Sequence, residues 1–97
     1  MSDITFTLEE TETKGRFVAH VAGHADEAEI TFSKSSPTMV IVDHTGVPES
    51  LGGKGVGKAL SLRMVEHARE QGFKIIPLCP FFKAVAARNP DWADVVT

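Results

Sequence analysis

The chain changes its period once, at a cluster of glycines. Gly52-Gly53-Lys54-Gly55-Val56-Gly57 places four glycines in six residues. Before the cluster, apolar residues recur at every second position. After it they recur at about every fourth. Period two marks a half-buried strand, and period 3.6 marks an amphipathic helix. The sequence therefore reads as a sheet, a glycine turn, and a helix laid back on that sheet.

Ile4-Thr5-Phe6-Thr7-Leu8, Arg16 to Val21 and Ala28 to Ser33 are the first three strand segments. Polar or glycine-bearing turns at Glu12 to Gly15 and Gly23 to Asp26 separate them. Lys34-Ser35-Ser36-Pro37 reads as the next turn. Thr38-Met39-Val40-Ile41-Val42 has the continuous apolar pattern of a strand buried on both faces, which predicts the centre of the sheet. Short connections make an antiparallel meander the economical topology. Lys58 to Gln71 contains no glycine or proline, and Val56, Leu60, Met64 and Ala68 form one helical stripe. Gly72 is its stop. Phe73 to Leu78 reads as a fifth strand. Pro80 opens a second helix over Phe81 to Arg88, which ends before Pro90. Trp92 is expected to anchor the tail. Ninety-seven residues hold one core, so 1–97 reads as a single α/β domain.

Composition excludes several classes. An apolar fraction of 42% with 24% charged residues is that of a folded globule. A net charge of −3 argues against a general nucleic-acid binder. No apolar run approaches the roughly 20 residues that span a membrane. One cysteine cannot form an internal disulfide, and a reduced cytoplasmic location is expected. No second cysteine and no His/Asp cluster at ligand spacing accompany it, so no metal site is expected.

The charge is unevenly divided. Residues 1–50 carry nine acids and three bases, whereas residues 51–97 carry four acids and seven bases. A basic, glycine-rich segment in an acidic chain points to a local anion site. A glycine turn that opens a helix lets backbone amides approach a ligand, and the helix dipole favours phosphate there. Lys54 and Lys58 add positive charge. The competing reading is a tight turn that binds nothing. The dinucleotide fingerprint fails, because its third glycine would fall on Lys58 or Leu60. Gly52 to Gly57 followed by Lys58 approaches the nucleotide-hydrolase loop, but Ala59 stands where a magnesium-binding hydroxyl is required.

The apolar strand that ends in Val42-Asp43-His44-Thr45, followed by a Gly53-x-Gly55-x-Gly57 loop and a helix, resembles the GNAT superfamily of N-acetyltransferases. His44-Thr45-Gly46-Val47-Pro48, Gly57-Lys58-Ala59-Leu60 and Leu78-Cys79-Pro80-Phe81 resemble its minimal YjdJ-like branch. That resemblance implies a four-stranded meander, a glycine-loop helix, a fifth strand parallel to the fourth and splayed from it, and a C-terminal helix. It implies acetyl-CoA as acyl donor, with the pyrophosphate on the amides of Gly53, Lys54, Gly55, Val56, Gly57 and Lys58. Val42, Asp43, His44 and Thr45 would pair with the pantetheine arm, and Pro80 and Phe81 would lie against the cofactor. The thioester would sit between Val42–His44 and Leu78–Cys79. Gly52 departs from the family's usual Arg or Gln, which removes one side-chain contact to the phosphates.

The chain has no tyrosine, a frequent proton donor in this superfamily. Cys79, placed before a helix, is the candidate in its stead, as proton donor or as acetyl-carrying nucleophile. A small buried core residue is the competing reading. His44 is the candidate base for the amine proton, with a strand-edge hydrogen bond as the alternative. The acceptor expected is an amine on a protein side chain or a polyamine, reached through an open cleft by a monomer. An acyl-CoA-binding module without turnover is the second reading, and a protein-interaction domain with a structural glycine loop the third.

Overall fold

The first half alternates apolar and polar residues because only one face of its sheet is covered. The computed structural model describes residues 3–97; residues 1 and 2 of the 1–97 domain assignment lie outside the described residues. β1 (Ile4–Glu10), β2 (Lys14–Val21), β3 (Glu27–Ser36) and β4 (Met39–Gly46) pair antiparallel in sequence order. β5 (Lys74–Pro77) pairs with β4 in parallel and completes the sheet order β1-β2-β3-β4-β5. α1 (Val56–Gln71) forms the crossover between β4 and β5, and α2 (Pro80–Ala87) follows β5. Short 3₁₀ turns occupy Glu49–Leu51 and Pro90–Asp94.

Phe17, Ala19, Ile30, Phe32, Val42 and Ile75 project from the sheet into one core, where Leu60, Met64 and Val65 of α1 and Phe82 of α2 meet them. Full burial of each large side chain contributes about 1.5–3 kcal/mol. Trp92 is buried in the same core and stacks on Phe82 with 6.3 Å between ring centroids. The tail is therefore anchored as expected, and it goes further than the sequence indicated. Val96 bridges Ile75 in parallel, and the Ile75 N–H donates to the Val95 carbonyl at 2.7 Å.

Several boundaries differ from the sequence reading, each for a local reason. β3 continues through Ser36, because the turn tightens onto Pro37 and Thr38 alone. α1 starts at Val56, within the glycine cluster, since Gly55 takes the left-handed φ of 73° that ends the loop. β4 is not buried on both faces: Val40 and Val42 are buried, whereas Met39 and Ile41 are half-buried. Its second face has only neighbouring strands beside it, and β3 holds the middle of the sheet. The uncovered face instead carries polar pairs. Arg16 reaches Glu9 at 2.8 Å and Glu29 at 2.5 Å.

His67 is a buried polar residue on α1, held edge-on between Phe17 at 5.2 Å and Phe73 at 5.5 Å. Burial pushes its pKa below the ordinary histidine value. Above about pH 6.5 the ring is neutral in folded and unfolded chains alike, and its contribution is fully present. As pH falls below that value, the unfolded chain binds a proton that the folded chain resists, and stability is lost. The thermal midpoint of the native chain is expected to fall more steeply from pH 7.5 to pH 5 than that of His67→Leu; parallel slopes would contradict this account. Gly15 pairs with Phe32 and leaves room for its ring, which a Cβ at that position would strike. Gly15→Ala is expected to cost about 1–3 kcal/mol in urea denaturation, because the added methyl displaces a buried ring.

Candidate functional site

The site begins with a fault in the ladder between β3 and β4. Thr31 pairs with His44 and Phe32 with Val42, so Asp43 has no partner of its own across the ladder. This is a β-bulge, and it shifts the phase of every residue beyond it. Val42 faces the core. Simple alternation would then point His44 inward and Thr45 outward. The bulge reverses both. Thr45 falls opposite Ile30, a core residue, while His44 falls opposite Thr31 on the uncovered face. A Cβ on Gly46 would lie 3.1 Å from His44 Nε2 and 3.7 Å from Glu29 Cγ, which puts the imidazole on the Glu29 side.

Asp43 holds the bulge by its side chain. Its carboxylate accepts from the Thr31 hydroxyl at 2.5 Å and from the Ser33 hydroxyl at 3.0 Å. Sequence reading missed both hydroxyls. They stand two apart on one strand face, and only the register shows that they converge on one carboxylate.

β5 leaves the sheet at the same level. Its register with β4 ends at Val42 and Pro77. The Val42 carbonyl then accepts from the Leu78 N–H at 3.1 Å and the Cys79 N–H at 2.9 Å. From Asp43 to Gly46 the β5-side edge of β4 has no strand beside it. A slot opens there, with Cys79 as the N-cap of α2 on its far side. Cys79 is only 4% exposed, and its Sγ lies 3.4 Å from Thr45 Oγ1. Leu78 and Phe81, at 66% and 43% exposure, are apolar groups left facing solvent at its mouth.

The glycine cluster ends beside this slot. Gly53 and Gly55 take φ of 75° and 73°, and these two carry the turn. Gly57 has a different reason. A Cβ there would fall 2.6 Å from the Phe81 ring and 3.3 Å from Val47, so Phe81 lies directly on the first turn of α1. The residue that looked like part of a ligand cradle thus also makes room for an aromatic ring. α1 has no side-chain cap and no acid in its first turn. Its leading N–H groups have no intrahelical carbonyl and no capping side chain to donate to, although Val56 and Gly57 themselves are buried. Lys54 and Lys58 are exposed, and neither makes an ion pair among the described residues.

The structure thus brings together Val42, Thr45, Cys79, Pro80 and Phe81 around the slot, with Gly57 at its end, whereas Lys54 and Val56 line a separate hollow with Asp3, Val21 and His24. It separates His44 from Cys79, which lie toward opposite faces of β4. A hollow of about 480 Å³ on the His44 side is lined by Arg16, Glu27, Glu29, Gly46 and Val47, among others. Among the described residues no group of His, Cys, Asp and Glu is arranged to hold a metal. No helix of the structure is long and apolar enough to cross a membrane.

Residues 16–95 match the GCN5-related N-acetyltransferase family. The solution structure of a GCN5-like candidate N-acetyltransferase from Staphylococcus aureus is 37% identical, with a TM-score of 0.70, over 100% of this chain and 91% of that one. The crystal structure of nourseothricin acetyltransferase is 22% identical, with a TM-score of 0.55, over 76% of this chain and 58% of that one, a likeness of fold. No curated protein matches the chain.

The bulge yields a test of its own. Asp43→Ala removes the acceptor of two hydroxyl bonds and is expected to cost about 1–2 kcal/mol in denaturant unfolding. The amide resonances of His44 and Thr45 are expected to move more than those of β1. Unmoved resonances would mean that the bulge is held by the backbone alone.

Proposed function

The chain belongs to the GCN5-related N-acetyltransferase family, and from that premise we propose that it transfers the acetyl group of acetyl-CoA to an amine. The observation that supports this most is the meeting of two unsatisfied backbone edges: the uncapped first turn of α1 and the strandless edge of β4 beyond Val42. Phosphate oxygens suit the first, through amide donors and the positive end of the helix dipole. An amide-bearing arm suits the second, because it can pair with β4 as a strand would. In this reading the pyrophosphate lies on Gly53, Lys54, Gly55, Val56, Gly57 and Lys58. The pantetheine arm follows Val42 to Thr45, with Pro80 and Phe81 beside it, and the thioester ends in the slot by Cys79.

Two routes lead from there. In the first, Cys79 gives up its proton and its thiolate bonds to the thioester carbonyl carbon. The C–S bond to coenzyme A breaks, coenzyme A leaves as a thiol carrying that proton, and the amine then takes the acetyl group from Cys79, which departs as a thiolate. In the second, the amine attacks the thioester directly and Cys79 gives its proton to the departing coenzyme A sulfur. His44 stands toward the uncovered face, away from Cys79, so in either route the amine proton reaches it through an intervening water. Glu27 and Glu29 line the approach on that face with Arg16, which is paired to Glu29, and the excess of acids over bases favours a cationic amine, on a protein side chain or a polyamine. The chain works as a monomer in a reducing cytoplasm, where a free thiol persists.

A second reading is an acyl-CoA-binding module without turnover. The lack of any tyrosine and the near-complete burial of the Cys79 thiol favour it. Titration of labelled protein with acetyl-CoA, read by amide shifts, tests what both readings share. Shifts are expected at residues 42–45, 53–58 and 79–82, and their absence at millimolar ligand would sink both. Cys79→Ala separates them. The transferase reading expects acetyl transfer to an amine panel to fall about 100-fold or more, with coenzyme A affinity within about twofold because backbone groups carry the binding. Transfer at the native rate in that variant would remove Cys79 from the chemistry.

A further inference from the structure

We propose that Thr45 is a positioning residue for this acetyl transfer, its hydroxyl holding the Cys79 sulfur and donating a hydrogen bond to it whenever the sulfur is charged. The inference rests on the transferase reading and adds a residue whose side chain that reading does not use. Thr45 enters the coenzyme site above only through its backbone. Its side chain points the other way, because the bulge at Asp43 turns it to the core side of β4 opposite Ile30. There Oγ1 lies 3.4 Å from Cys79 Sγ, and the contact is half-buried. Cys79 is held to the same strand by its own N–H, which donates to the Val42 carbonyl at 2.9 Å. Backbone and side chain of one residue are thus tied to β4 at two points, across the gap that β5 leaves.

The hydroxyl suits both charge states of its partner. A hydroxyl is donor and acceptor at once. Beside the thiol either the hydroxyl or the S–H can donate. The hydroxyl donates once the proton has gone, and a hydrogen bond to a charged sulfur is the stronger of the two. Both routes pass through a Cys79 thiolate. In the nucleophilic route the thiolate precedes attack on the thioester carbonyl. In the direct route it remains after Cys79 S–H breaks and its proton goes to the coenzyme A sulfur, as the N–C bond forms and the C–S bond breaks. Thr45 serves either one, so the inference does not depend on which operates. The low exposure of Cys79 leaves little water to supply the same bond.

The test is the rate of Cys79 alkylation by iodoacetamide, the only thiol in the chain, measured across pH in Thr45→Val, Thr45→Ala and Thr45→Ser. Thermal melts establish that each variant is folded, and alanine covers the case in which valine crowds the slot. Removal of the hydroxyl is expected to slow alkylation about tenfold near neutral pH, with the deficit closing at high pH. Serine restores the native rate. In acetyl transfer the same variants are expected to lose kcat with KM for acetyl-CoA unchanged. Native alkylation rates in the folded valine or alanine variant would overturn the proposal, and so would a serine variant as slow as alanine, which would mark a packing role for the methyl group. Alkylation is read without acceptor or coenzyme, so a chain that transfers no acetyl group at all bears on the transferase reading and leaves this contact separately tested.

Discussion

Between Val42 and His44, β4 carries one residue more than the strand opposite it, and the site depends on that surplus. The pleat of a strand has a period of two, so one extra residue inverts the faces of all that follow. Before the bulge, Val40 and Val42 feed the core in the phase of the sheet. After it, Thr45 turns toward Cys79 and His44 turns toward Glu29. The Asp43 carboxylate fixes the surplus residue on the uncovered face, where it meets two hydroxyls of β3. The departure of β5 at the same level converts the bend into a slot. Neither feature alone would do so: a bulge within a fully paired strand leaves no opening, and a strand that ends early on a flat sheet leaves a bare edge without inward-turned side chains.

Most of the frame was legible because local chemistry specified it. The alternation in Ile4 to Leu8 and in Ala28 to Ser33 identified strands with one covered face, and Pro37, Gly55, Gly72 and Pro80 stand at ends of elements for the reasons their backbones dictate. The candidate site was legible as a set of residues and not as an arrangement. A bulge is a relation between two strands, and no single segment announces it. Asp43 read as one of four residues beside the pantetheine arm; its tie to Thr31 and Ser33 needed the register. Gly57 read as one more glycine in a cradle; the ring of Phe81 lying on it needed the packing of α2 against α1. The apolar run at Met39 to Val42 misled for a related reason. Hydrophobicity along one strand reports the cover that neighbours provide, and here Ile41 is shielded partly by the strands on either side, without a second layer of helix.

The helices contribute by where they start. α1 begins with two glycine φ values that only an unbranched backbone adopts readily, and its first turn carries no capping side chain. α2 begins at Cys79-Pro80, where proline needs no N–H partner and the preceding residue is held extended. Both first turns come together through Phe81 and Gly57 beside the end of β5. A two-layer domain of this size has one core to spend on stability, and the uncovered sheet face is left to ion pairs and hydroxyls. Those pairs are solvent-exposed and each is worth little. Their effect is to keep an unpaired face polar, so that the sheet does not seek a second cover.

The bridge between Val96 and Ile75 has a consequence for the order in which the molecule assembles. The three hairpin contacts of β1 to β4 join residues close in sequence, so their closure entropy is small and they form early. The pairing of β5 with β4 must wait for a sixteen-residue helix to span the gap. The final segment then lies against β5 and clamps its far edge. The slot by Cys79 is bounded by the elements completed last. A growing chain thus has a sheet well before it has a reaction centre, and the thiol is enclosed only when the strand that leads to it is locked from both sides.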